Sequence, residues 1–122
     1  GLVVAVGYSG YPPHVNVPAS ETIQQLGPIP RGTWAIGPAY HHATLGPVTM
    51  NLVLLASDNP SAPFGRSAFR IHGDRKAAPG YASHGCLVLD RTARDLIEAS
   101  PDKHLRVCLS TDLPVTSNEN LG

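Results

Sequence analysis

Hydrophobic and polar positions alternate in short stretches along this chain, and turn-forming residues interrupt them every few positions. Leu2–Val6 is a β-branched-rich run that ends at Gly7 and predicts a first strand. Ser9 to Arg31 is mostly turn chemistry, with Pro12, Pro13, Pro18, Pro28 and Pro30, and holds space for a short helix at Ser20–Leu26. Thr33–Ile36 predicts a strand closed by Gly37-Pro38. Val48–Ala56 predicts the longest strand, followed by a loop at Ser57–Gly65 that contains Pro60 and Pro63. Ala68–His72 is a short strand that delivers a histidine at its end. Gly73–Ser83 is polar and glycine-bearing, hence a loop, and Cys86–Leu89 resumes as a strand.

Periodicity changes once. Asp90 is a good N-cap, and Ala93, Leu96 and Ile97 follow at helical spacing, with Pro101 as a stop. His104–Leu109 returns to alternation, with Leu105, Val107 and Leu109 on one face and His104, Arg106 and Cys108 on the other. The expectation is a mostly β domain with one clear helix, a core over about 2–110 and a frayed tail at 114–122. No repeat, linker or low-complexity segment divides the 122 residues, so one domain is expected.

Composition sharpens this picture. Glycine and proline number 12 each, about a fifth of the chain, which suits short strands joined by fixed turns better than a helix bundle. Nine basic and nine acidic residues cancel, so the basic surplus of a nucleic-acid binder is missing. The longest strongly apolar stretch, near Asn51–Ala56, is too short to span a bilayer. Two cysteines allow at most one disulfide, which excludes a disulfide scaffold. The chain starts at Gly1 rather than Met, which predicts removal of something upstream.

The segment richest in chemistry is Phe69–Asp90, FRIHGDRKAAPGYASHGCLVLD. It places His72 at a strand end, then a glycine-bearing loop, then Ser83-His84-Gly85-Cys86. A thiolate is the competent nucleophile, and a nearby imidazole can take the thiol proton. Gly85 lets the backbone adopt unusual angles beside the sulfur, and the amides from His84 to Cys86 could stabilise an oxyanion.

These residues resemble the active-site signature of the YkuD-type L,D-transpeptidase domain: His-Gly, a loop, then Ser-His-Gly-Cys. Gly27-Pro28-Ile29-Pro30-Arg31-Gly32-Thr33-Trp34 resembles the Pro-x-Pro-x-Gly-x-aromatic segment that precedes a core strand in those domains. The compact size and the Tyr8-Ser9-Gly10 opening look most like the small L,D-transpeptidase-like effectors of type VI secretion systems. The resemblance runs from about Val3 to Leu109 and implies a mainly β, sandwich- or barrel-like fold with one or two short helices.

It further implies that Cys86 attacks the carbonyl of the L-centre residue in a peptidoglycan stem peptide, with His72 as general base. The backbone carbonyl of Gly73 would complete the triad, His84 would line the site, and Ser83 and Gly85 would contribute to oxyanion and substrate binding. An amine resolving the acyl-enzyme gives transpeptidation or exchange; water gives L,D-carboxypeptidase activity. Neither route needs a cofactor or metal. A cell-envelope location and a cognate immunity protein follow from the effector reading. One departure stands out: the family usually carries Arg or Asn two residues after the cysteine, whereas this chain continues with Leu87 and Val88, which favours an atypical or secreted member.

Other readings compete. Cys108 sits on a regular strand and reads as a packed thiol; a Cys86–Cys108 disulfide would block the nucleophile. No Cys-x-x-Cys or His-x-x-x-His spacing supports zinc, and the adjacent His41 and His42 point to opposite faces of any strand. His14, His41, His42 and His104 read as surface or loop residues. His84 could be purely structural. Arg70 and Arg75 either hold a substrate carboxylate or are solvated charges. Tyr8, Tyr11, Tyr81 and Trp34 could line a groove, although a strand tryptophan more often fills the core. Functional rivals are a housekeeping L,D-transpeptidase domain, a catalytically silent peptidoglycan-binding domain and a general cysteine peptidase.

Overall fold

A computed structural model describes residues 5–109 of the chain. Its elements are β1 (Tyr8–Ser9), a 3-10 turn (Pro18–Ser20), β2 (Gly32–Ile36), β3 (Tyr40–His42) and β4 (Gly46–Ala56). They are followed by β5 (Arg70–His72), β6 (Leu87–Val88), α1 (Arg91–Ala99) and β7 (His104–Val107). The fold is mainly β: one seven-stranded sheet curls into a half-barrel, in the order β1-β6-β5-β4-β2-β7, with β3 also paired to β4.

β4 is the spine because its 11 residues change partners along their length. Its start pairs with β3, Met50 and Asn51 pair with β5, and Leu52–Ala56 pair with β2. Period-two alternation sends Met50 and Leu52 into the core and Asn51, Val53 and Leu55 to solvent. Every strand pair is antiparallel except β5–β6, where Ile71 lies opposite Leu87 and His72 opposite Val88. The 3-10 turn and the 21–31 loop lie between β1 and β2, where a short helix at Ser20–Leu26 was predicted.

Trp34 is at the centre of the core with 1% of its surface exposed, edge-on to Phe69 at 4.9 Å and surrounded by Ile36, Met50, Leu52 and Ile71. Its indole N–H donates to the Pro30 carbonyl at 3.0 Å, so the large ring is buried without an orphaned donor. This settles Trp34 as a core residue rather than a groove wall.

Helix α1 starts as its sequence predicts: the Asp90 carboxylate accepts the Ala93 N–H at 2.8 Å. Lys103 donates to the Ile97 and Glu98 carbonyls at the other end, satisfying two of the open acceptors there. The packed face differs from the predicted one. Ala93 is buried, but Leu96 is 57% exposed and Arg94 is buried in its stead. Arg94 reaches past the helix: its Nε donates to the Leu89 and Asp90 carbonyls and its Nη1 to those of Pro47 and Val48 on β4.

The predicted first strand is shifted. Ala5 and Val6 are irregular and pairing starts at Tyr8, whereas Leu2–Val4 lie outside the described residues, as does the tail expected at 114–122. The strand expected at His104–Leu109 ends at Val107, where its pairing with Gly32 on β2 stops. His41 and His42 fall on β3, which the sequence did not reveal. There the His42 Nδ1 accepts the Thr44 and Leu45 N–H groups and closes the β3–β4 turn.

Candidate functional site

The parallel β5–β6 pair builds the site. His72 ends β5, and Cys86 precedes β6 by one residue in a register that brings it alongside Arg70. A cavity of about 430 Å³ opens over this junction, lined by His72, Cys86, His84 and Gly85 together with Arg66, Arg70 and Arg75. Residues separated by the whole Gly73–Ser83 loop therefore share one groove.

His72 is 1% exposed. Its Nδ1 lies 2.7 Å from the Gly73 carbonyl. A carbonyl can only accept, so Nδ1 carries the hydrogen and Nε2 keeps its lone pair. Burial, foremost, holds the imidazole pKa below its ordinary value, although the Gly73 bond opposes this; the charges of Arg94 and Arg70 act with burial. The neutral base form is thus favoured at neutral pH.

Cys86 is a free thiol and half-buried. Its sulfur lies 3.6 Å from the Ala68 carbonyl, to which the S–H donates. Ala68 has a left-handed backbone, φ 63°. Burial pushes the thiol pKa up, against the downward pull of the Arg70 backbone N–H and of the Arg70 and Arg66 charges. Burial thus favours the neutral thiol at Cys86, as it favours the neutral imidazole at His72.

The turn carrying Cys86 is held from below. Ser83 is fully buried, and its hydroxyl accepts the Gly10 and Gly85 N–H groups at 2.9 and 3.1 Å while donating to the Cys86 carbonyl at 2.5 Å. With its donor and both acceptor sites in use, Ser83 braces the turn and presents nothing to a substrate. The same bond commits the Gly85 amide, one of the expected oxyanion donors, to Ser83. Ser9 adds a second tie: its hydroxyl donates to the Gly85 carbonyl at 3.0 Å and accepts the Ile29 N–H at 2.7 Å.

Arg66 is the residue that motif reading missed. It is 6% exposed, and its guanidinium binds the backbone carbonyls of Glu21, Gly27, Pro28 and His84 while stacking 5.1 Å from Phe69. It joins the 21–28 loop to the Cys86 turn and places a positive charge near the sulfur. Isolated in a proline-rich loop, it carried no signal in the sequence. Arg94 was equally hidden: a Cβ on Gly73 would lie 2.8 Å from its Nη2, so the glycine leaves room for the buried guanidinium.

His84 is exposed, donates from Nδ1 to the Gln25 carbonyl at 2.8 Å and stacks on Tyr11 at 4.9 Å with the rings 8° from parallel. Tyr81 meets Tyr11 edge-on, which forms an aromatic rim beside the groove. Tyr8 is used differently. Its hydroxyl donates to Asp74 at 2.6 Å and accepts the Ala82 N–H, pinning both ends of the loop; burial and the Asp74 carboxylate push its pKa up to about 12. Asp74 also accepts the Arg75 and Gly80 N–H groups and is a loop organiser.

Cys108 is also free and lines a different cavity, of about 550 Å³, with Arg31, Asp58 and Arg106. No disulfide joins it to Cys86. Among the described residues, no three His, Cys, Asp or Glu side chains converge as a metal site would require. No helix among them is long and apolar enough to cross a membrane.

A family model described as the Tlde1 domain matches residues 4–108, which is most of the chain. No curated protein and no solved structure matches it.

Proposed function

This chain belongs to the Tlde1 domain family, a type VI secretion effector family, and on that premise we propose that it is a cysteine-dependent peptidoglycan-modifying enzyme. Its substrates are stem tetrapeptides, and it acts as an L,D-carboxypeptidase, an L,D-transpeptidase, or both. The observation that carries this reading is the shared groove in which His72, tautomerically fixed by the Gly73 carbonyl, faces the same space as the Cys86 thiol.

His72 Nε2 takes the Cys86 proton as the sulfur attacks the carbonyl carbon of the L-centre residue. The tetrahedral oxyanion is held by the Cys86 amide, since the Gly85 amide is already donated. Collapse breaks the peptide bond, and the imidazolium returns its proton to the departing D-amino acid amine, leaving a thioester on Cys86. Water or a second amine then attacks the thioester, His72 removes a proton from the attacker, and the thiol is restored. A raised thiol pKa fits this route, because proton transfer to a neutral imidazole accompanies attack. The enzyme acts in the envelope of a target cell, and a cognate immunity protein occludes the groove in the producer.

A second reading, a catalytically silent peptidoglycan-binding domain, draws its support from the same half-buried thiol, whose pKa burial pushes up. Mass spectrometry of tetrapeptide muropeptides, with and without a free D-amino acid, separates the two. Loss or exchange of the terminal D-residue by the wild type is expected, with rates at least about 10³-fold lower for Cys86→Ala and His72→Ala. No change with a folded, reduced wild type would leave the binding module standing.

A further inference from the structure

Among the described residues, the groove over Cys86 is lined by Arg66, Arg70 and Arg75 and by no aspartate or glutamate, in a chain whose formal net charge is zero. A cleft of one sign focuses its field on whatever enters, so the imbalance bears on the ligand. The three guanidiniums are not equivalent. Arg66 is spent on backbone carbonyls on both sides of the turn.

Arg70 is only partly engaged. Its Nε donates to Asn51 at 3.2 Å and its Nη1 makes a long 3.4 Å contact to the Ala68 carbonyl, leaving Nη2 without a partner among the described residues. The Arg75 guanidinium has no hydrogen bond or ion pair among them; only its backbone N–H is used. The neighbouring carboxylate, Asp74, is turned to Tyr8, Arg75 N and Gly80 N and does not line the groove. Arg70 shares the face of β5 that carries His72, and both line the groove with Cys86.

We propose that Arg70 and Arg75 form an anion subsite that receives the free carboxylate of the bound peptide, the one on the residue that leaves. This rests on the proposed function for the identity of the peptide, but not for the subsite itself. A guanidinium fork matches a carboxylate in a way that an ammonium or a neutral donor does not. The subsite would make the enzyme choose peptides that end at the leaving residue over those that continue past it. It also places that residue's amine toward His72.

Two measurements test this separately. The first uses iodoacetate and the neutral iodoacetamide as probes of Cys86, with alkylation read on the Cys86 peptide by mass spectrometry and normalised to free cysteine. The expected preference for iodoacetate is about tenfold, falling as salt is added to the unaltered protein. It should vanish in Arg70→Gln/Arg75→Gln and survive in part in Arg70→Lys/Arg75→Lys. A preference indifferent to salt and to both pairs of variants overturns the anion subsite.

The second compares tetrapeptides ending in a carboxylate and in a carboxamide. A KM about tenfold lower for the acid supports the assignment of the leaving residue's carboxylate. Equal turnover of both overturns that assignment while leaving the proposed function intact. No turnover of either overturns the proposed function, and the alkylation ratio then judges the subsite by itself.

Discussion

A Cβ on Gly85 would lie 2.6 Å from Nη2 of Arg66. The buried guanidinium fills the space a side chain would need, and the glycine, at φ +136°, has a backbone that other residues rarely adopt. The Ser-His-Gly-Cys motif therefore needs its glycine for packing as much as for chemistry.

Gly85→Ala should destabilise the fold by about 2–4 kcal/mol, since backbone strain and the clash add. Urea denaturation monitored by the Trp34 fluorescence would show the midpoint drop; an unchanged midpoint would mean that Arg66 can move aside freely.

Ser83→Ala removes a hydroxyl that serves three backbone groups at once. The expected loss is about 2–3 kcal/mol, because buried N–H and C=O groups are left without partners. Turnover should fall through kcat rather than KM, as the side chain braces the Cys86 turn and does not touch ligand. A KM effect alone would restore Ser83 to substrate binding.

Stability should fall on mild acidification. His72 is buried and its pKa is held below the ordinary 6.5, so the unfolded chain binds this proton first as pH drops. The contribution is fully present above pH 6.5 and is lost progressively below it. Glu21 and Asp74, whose carboxyl pKa values are also lowered, add to the loss only at more acid pH. Urea midpoints between pH 7.5 and 5 should therefore decline in the wild type and flatten in His72→Gln; parallel slopes in the two proteins would refute the assignment.

Alkylation of Cys86 by a neutral reagent should rise with pH along a curve whose midpoint lies above that of free cysteine, because burial favours the thiol. A midpoint below free cysteine would instead reveal a resting thiolate–imidazolium pair.

The elements with strong local signals were legible in the sequence. Strand β4, the capped start of α1 and the His72 strand end all announce themselves through alternation, an Asp90 cap or a motif. Cys86 and His72 stand out as candidates for a different reason, since short motifs do not depend on topology, and the two line one groove. What could not be read depended on contacts distant in sequence. Arg94 carries no signal of its own in the helical pattern of Ala93, Leu96 and Ile97, and only the Pro47 and Val48 carbonyls explain its burial. Arg66 needed carbonyls from residues 38 to 45 positions away, and no periodicity marks that. Ser83, expected to meet substrate, is claimed by Gly10, another distant partner.

The Ser9 hydroxyl, near the start of the chain, holds the carbonyl of Gly85, 76 positions further on. The turn that carries Cys86 is thus completed only when two segments distant in the sequence have met. In the unfolded chain that hydroxyl and that carbonyl lie far apart, so the shape of the Cys86 turn is a product of folding and not of its local sequence.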